Sequence, residues 1–238
     1  MSFLRFLPKR LQQRIRDYAP RGFPDAASCG AFYDARARLF RGDEATVLEY
    51  SSCDIQRRLF ERAVEALPPH GRILDIGCGF GHLLDFIEER GVSLVSYRGI
   101  DVSETMVEAA GARIGGRADV TIEALDLTAE TLPEAVHDVA YIISVLGYPI
   151  GRDPMNTMMA ILGKVFRSCT DGVVFTHVMS GRRERPLAFP TEPERLAKRC
   201  ERELGAQAQV FDDGVSFTYL MTLRHGGNES STPGNRAV

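Results

Sequence analysis

The chain has 238 residues, enough for one sizeable α/β domain with additions but too few for two full domains. A formal net charge of −3 and a pI near 6.0 leave no global basic footprint for a nucleic-acid partner. Cys29, Cys53, Cys78, Cys169 and Cys200 include no Cys-x-x-Cys pair and no run approaches the length of a membrane span, so neither a disulfide framework, a zinc ribbon nor a membrane protein is expected.

Residues 1–69 read as a helical cap. Leu11, Ile15 and Tyr18 mark one apolar stripe; Phe32, Ala35, Leu39 and Phe40 a second; Ile55, Leu59, Ala63 and Leu67 a third, which Pro68 and Pro69 end. Pro20, Gly22 and Pro24 set a loop between the first two. Arg5, Lys9, Arg10, Arg14 and Arg16 make the first helix basic, which suits a solvated face over a cleft better than a lipid surface. The N-terminal apolar run, broken by Arg5 and Pro8, is too short for a signal peptide, and a cytoplasmic, reduced protein is expected.

Ile73, Leu74 and Ile76 then form a short buried strand that stops at Gly77, Gly79 and Gly81. Beyond it Phe80, Leu83, Leu84 and Ile87 recur at helical spacing. Glycines let a strand reverse sharply into a helix and let a ligand lie on bare backbone, facing the unpaired N–H groups of the helix start. A dinucleotide fingerprint, Gly-x-Gly-x-x-Gly, needs glycine at position 82, where this chain has His82. The pattern is Gly-x-Gly-x-Gly, preceded by Asp75 inside the strand, a carboxylate suited to a ligand end bearing an amine and a sulfonium. The run Leu-Asp-Ile-Gly-Cys-Gly-Phe-Gly resembles the first motif of class I S-adenosylmethionine-dependent methyltransferases. That resemblance implies S-adenosylmethionine as cofactor, contacted by Asp75, Gly77, Gly79 and Gly81. It also implies aromatic residues of the cap folding back over the site, for which Tyr33 and Tyr50 are the candidates.

Tyr97 to Asp101 reads as a second strand, with Ser103 positioned to cap the helix that follows. Asp101 lies 20 residues past Gly81, where nucleoside-binding α/β folds place the acid that accepts both ribose hydroxyls. Val120 to Leu127 reads as a third strand ending at Asp126. The resemblance assigns Asp126 to the adenine amine and the backbone of Leu127 to a ring nitrogen, with Val102 beside Asp101; a competing role for Asp126 is the cap of a helix over 129–136. His137 to Tyr148 reads as a fourth strand, and the resemblance puts the reacting methyl at its end, near Ser144 and Tyr148. The Asn/Asp-Pro-Pro-aromatic motif of adenine-N6 and glutamine methyltransferases is absent there, as is a Pro-Cys nucleophile anywhere in the chain.

A helix carrying Met158, Leu162, Val165 and Phe166, read as core, precedes a fifth strand over Gly172 to Ser180 that bears His177. Arg182, Arg183 and Arg185 follow on the binding edge and suit an anionic or carrier-bound acceptor. Thr191 and Glu194 have the spacing of a capping box, and Asp212-Asp213-Gly214 signals a closing antiparallel hairpin. A polar tail follows from Gly226, leaving 70–225 as the core.

These readings converge on a Rossmann-like α/β fold with a seven-stranded, mostly parallel sheet, helices on both faces and the N-terminal cap. The expected activity is methyl transfer to a small-molecule acceptor with release of S-adenosylhomocysteine (SAH), needing no metal and no nucleic-acid or membrane partner. Position favours Tyr148 as the catalytic residue facing the acceptor, whereas His177 has the better pKa for a base. The rivals are a nicotinamide-dependent oxidoreductase, a methyltransferase for macromolecular acceptors, and a module that binds S-adenosylmethionine without catalysis.

Overall fold

In the computed structural model, residues 9–10, 22–114, 116–179, 189–213 and 218–226 are described. The basic first helix, Arg182, Arg183, Arg185 and the C-terminal tail lie outside these residues.

The cap contributes α1 (Ala26–Leu39), α2 (Glu44–Val47) and α3 (Cys53–Ala66). Asp25, Asp43 and Ser52 cap them, each accepting a hydrogen bond from a backbone N–H three residues on. The remainder runs β1 (Arg72–Ile76), α4 (His82–Glu89), β2 (Ser96–Asp101), α5 (Glu104–Ile114), β3 (Val120–Ala124), β4 (His137–Ile142), α6 (Pro154–Ser168), β5 (Cys169–Val178), α7 (Pro193–Leu204), β6 (Ala206–Phe211) and β7 (Thr218–His225). The sheet has seven strands in the order β3-β2-β1-β4-β5-β7-β6. The first five are parallel, and β7 is antiparallel to both β5 and β6. The order reverses between β1 and β4, and open α/β sheets carry their ligand crevice at such a switch point, outside the carboxyl ends of the strands.

Alternation along β1 divides the core. Leu74 and Ile76 join Leu162, Phe166 and Leu196 from α6 and α7 on one face, while Ile73 joins Leu59, Leu83 and Ile87 from α3 and α4 on the other. Asp75 therefore points to the second face, beside Tyr97 and Tyr141. On β4, Val139, Ala140, Tyr141 and Ile142 are fully buried, as a central parallel strand covered on both sides requires.

Several boundaries differ from the sequence reading. The third strand ends at Ala124, so Asp126 stands in the turn beyond it, and the segment 129–136 forms no helix. Asp126 caps that turn, its Oδ1 accepting from the Thr128 N–H at 2.7 Å and from the Thr128 hydroxyl at 2.6 Å. The fourth strand stops at Ile142 because Ser144, at φ 61°, turns the chain out of the sheet. Thr191 does not cap α7: its hydroxyl pairs with Tyr219 Oη at 2.6 Å, and Glu192 takes the cap position with Pro193 opening the helix.

The cap docks on the sheet through close backbone approach. A Cβ at Gly30 of α1 would stand 2.4 Å from the Val102 carbonyl oxygen, and Asp34 accepts from Ser103 Oγ at 2.5 Å and from the Thr105 N–H at 3.2 Å. Gly30→Ala should therefore lose roughly 1–3 kcal/mol by overpacking. Gly111→Ala on α5, where a Cβ meets nothing within 4 Å, should gain up to about 1 kcal/mol from helix propensity. Urea denaturation of both variants checks this; equal shifts would mean that α1 is not held against Val102.

Candidate active site

The glycine turn begins the site. Gly77, Gly79 and Gly81 have φ of 68°, 54° and 81°, a left-handed backbone that side chains disfavour. Protein packing adds a second demand, since a Cβ at Gly77 would meet Val145 at 2.3 Å and one at Gly81 would meet Ile114 at 3.0 Å. The sequence argument invoked ligand approach; here the glycines also answer to their own neighbours.

Asp101 ties this turn to the next. One carboxylate oxygen accepts the Gly79 N–H at 2.9 Å and the other the Ser103 N–H at 2.9 Å. Burial pushes its pKa up, and these N–H groups oppose the shift. Each oxygen retains a second lone pair, and the residue lines the cleft. Asp75, only 4% exposed, accepts the Tyr97 hydroxyl; burial pushes its pKa up to about 7.

A cleft of about 1320 Å³, open solvent at its mouth included, runs over the carboxyl ends of the strands. Asp101, Val102, Asp126 and Leu127 line one end; Asp75, Gly77, Gly79 and Ser144 line the middle; and Tyr148, Ile150 and Phe189 line the side toward β4 and β5. Tyr33, Leu48, Tyr50 and Gln56 of the cap complete the wall. Gly81 is not on the lining; it serves as the left-handed N-cap of α4. Met158 both packs in the core and lines the cleft.

The two catalytic candidates separate. Tyr148 is on the wall, and its hydroxyl reaches both oxygens of Glu49 at 2.8 Å. His177 is 1% exposed, off the lining, and flanked edge-on by Phe189 and Tyr219. Neither of its ring nitrogens has a hydrogen-bond partner among the described residues. Burial lowers its pKa to about 4, against a smaller opposing pull from the backbone of Phe189 and Leu146.

Three contributors had no signal in the sequence. Glu49, at φ 62°, joins Tyr33 to Tyr148 across the seam between cap and sheet. Gln56 of α3 reaches His82 Nδ1 at 3.2 Å, while His82 Nε2 meets Glu44 of α2 at 2.6 Å. His82, informative in the sequence only as the absent glycine, thus joins the start of α4 to two cap helices. Phe189 closes the wall in front of His177.

Among the described residues the lining contains no Lys, Arg or His, and its ionisable acids are Asp75, Asp101 and Asp126. Carboxylates with spare lone pairs suit ribose hydroxyls, an exocyclic amine and a sulfonium; they oppose a pyrophosphate. Among the same residues no group of three metal-ligating side chains is present, and no helix is long and apolar enough to cross a membrane.

Residues 74–175 match the family model for a methyltransferase domain. That domain is of the class I, S-adenosylmethionine-dependent type. A candidate methyltransferase of Mycobacterium tuberculosis is 50% identical over 58 residues, 24% of this chain and 34% of that protein. The S-adenosyl-L-methionine-dependent Diels-Alderase iccD of Talaromyces variabilis is 33% identical over 105 residues, 41% of this chain and 35% of that one. The matches thus span about a third of either relative's length. Among solved structures, the DhpI–SAH complex superposes with a TM-score of 0.63 at 19% identity, covering 87% of this chain and all of that one. The [4+2]-cyclase SpnF gives 0.62 at 16%, covering 86% and 97%. These likenesses establish the fold of the methyltransferase domain, whose cofactor is S-adenosylmethionine.

The buried histidines of the methyltransferase domain set an acid limit. His177 and His137 are both lowered by burial to about 4 from an ordinary 6.5. Between those values the unfolded chain binds protons that the native sites refuse, so their stabilisation is complete above 6.5 and is lost as pH falls toward 4. Each contributes a slope of roughly 1.4 kcal/mol per pH unit in that window. Urea midpoints at several pH values should show His177→Leu flattened by one proton's share; an unchanged slope would mean that the native site accepts the proton.

Proposed function

We propose that the protein transfers a methyl group from S-adenosylmethionine to a hydroxyl, amine or carbon nucleophile of a small molecule, releasing SAH. One observation carries the reading: the cleft continues from the nucleoside end, past the glycine turn, into a separate cap-lined space between Tyr33 and Tyr148. A cofactor site alone has no need of that space; a second reactant does.

The aspartates and backbone of the cleft would hold the cofactor. Asp101 receives the ribose hydroxyls on the lone pairs left by Gly79 and Ser103, with Val102 against the nucleoside; Asp126 and the backbone of Leu127 take the adenine edge; Asp75, Gly77, Gly79 and Ser144 surround the methionine end. When bound, S-adenosylmethionine supplies a methyl group already activated by its sulfonium. The chain's own contribution is alignment and exclusion of water, and effective molarities of such arrangements account for about 7–11 kcal/mol of a barrier. Tyr148 orients the acceptor from the cleft wall, while His177, behind Phe189, supports the wall. Tyr50 and Tyr33 close the cap over both ligands, and Arg182 and Arg183 belong to the rim.

A second reading follows from the apolar character of the wall and from the Diels-Alderase relative: cyclisation of an apolar substrate with the cofactor bound and unconsumed. Methyl-labelled S-adenosylmethionine and a metabolite extract distinguish the two. A labelled product is expected; a labelled cofactor left intact beside a cyclised, unlabelled product would overturn methyl transfer.

Asp101→Ala should weaken SAH binding tenfold or more and also lower stability, because the glycine turn loses its anchor. Asp126→Ala should weaken binding with little change in unfolding. Calorimetry and denaturation together separate them; equal stability losses would contradict this division. In turnover, Tyr148→Phe is expected to fall further than His177→Asn. Loss of turnover in His177→Asn with SAH affinity and folding intact would make the histidine the base.

A further inference from the structure

The polar centre of the acceptor space is a carboxylate that has already taken its neighbours' protons. Glu49 accepts from Tyr33 Oη at 3.0 Å and from Tyr148 Oη at 2.8 Å. Both phenols line the cleft, and they belong to different layers: Tyr33 to α1 of the cap and Tyr148 to the loop after β4. Phe23 and Phe32 fix the ring positions, with centroids 5.4 Å from Tyr148 to Phe23 and 5.2 Å from Tyr33 to Phe32. The ring of Tyr33 sits in an environment that keeps it a neutral phenol, since burial and the Glu49 charge both push its pKa well above the ordinary value.

A phenol has one proton and two lone pairs. With that proton committed to Glu49, its oxygen can only accept from a ligand. Around the two tyrosines the lining is apolar, from Leu48, Val145, Ile150 and Phe189, and among the described residues no cationic side chain lines the cleft to stabilise an anion. Resting on the methyl-transfer reading, we propose that the Tyr33–Glu49–Tyr148 triad makes the acceptor site selective for an apolar molecule bearing a hydrogen-bond donor, a hydroxyl or an amine, and makes it reject carboxylates and phosphates. The donor is then the nucleophile itself or the handle that aligns it. Because the triad joins cap and sheet, a donor seated on both phenols also holds the cap over the site. This choice differs from the anionic acceptor that Arg182, Arg183 and Arg185 suggest in the sequence.

The test uses the full chain saturated with SAH and three probes with one skeleton: phenylbutanol, phenylbutylamine and phenylbutyrate. Calorimetry first measures SAH itself; absence of binding there sinks the methyltransferase reading, and this inference with it. With SAH bound, the alcohol and the amine should bind about tenfold more tightly than the acid, because like charge and an unmatched acceptor both oppose the carboxylate. Glu49→Gln keeps the shape but offers an amide donor to the phenol oxygens, freeing their protons to face the ligand, so the acid should gain and the preference should collapse. Tyr33→Phe, which keeps Glu49 and its fold, should reduce the preference without reversing it. An acid that binds wild type as well as the alcohol does, or failure of all three probes, overturns the proposal. So does a preference unchanged in both variants.

Discussion

The site depends on one carboxylate holding two turns together. Asp101 accepts the N–H of Gly79 from the turn after β1 and the N–H of Ser103 from the turn after β2. Those turns leave adjacent parallel strands, joined in register from Arg72 with Ser96 to Ile76 with Ile100. The left-handed glycine backbone could not keep its shape unaided, because glycine has the largest conformational freedom to lose. A buried acceptor shared between the turns fixes it, and the same oxygens are then presented at the cleft. Structural anchoring and ligand recognition fall on one residue.

The cap extends this arrangement. Asp34 of α1 reaches Ser103 and Thr105 at the start of α5, Glu44 of α2 and Gln56 of α3 meet His82 at the start of α4, and Glu49 meets Tyr148 beyond β4. Each tie lands at the carboxyl side of a parallel strand, on the edge where the cleft opens. Such bonds, individually modest in net free energy, gain directional value when they converge on one edge. The basic partner Arg113 of α5 also contacts Glu44 at 3.5 Å, at an exposed position where it adds little stability.

What the sequence disclosed follows from how local the signal was. The glycine turn, Asp101 and the alternation of strands and helices are contiguous patterns, each determined by backbone geometry within one βα unit, and the structure has them where the sequence placed them. Asp126 was legible as a polar residue after β3 but its turn was not, because whether a helix continues over 129–136 depends on packing against α6, where Lys164 instead takes the carbonyls of Leu127 and Glu130 at 2.8 Å. Thr191 had the spacing of a cap and was claimed by Tyr219 from another strand. Glu49 and Gln56 had no local pattern at all: their roles exist only once α2 and α3 are docked.

The carboxylates in and behind the cleft show how one chemical group is given separate tasks by its donors. Asp101 is surrounded by backbone N–H groups, which favour its anion and oppose the upward push of burial. Asp75 has a single phenol, from Tyr97, and burial dominates, so that near neutrality its charge responds to whatever approaches. A cation brought beside it would favour the ionised form, while an anion would be met by a group already reluctant to ionise. Glu49 gathers two phenols and so turns their oxygens into acceptors. Across the cleft, then, the protein presents acceptors at the nucleoside end, a responsive carboxylate in the middle and acceptors again at the far end. A ligand pair that fits must bring the hydrogen-bond donors and the positive charge itself, which is the complement of a nucleoside sulfonium beside an alcohol or amine.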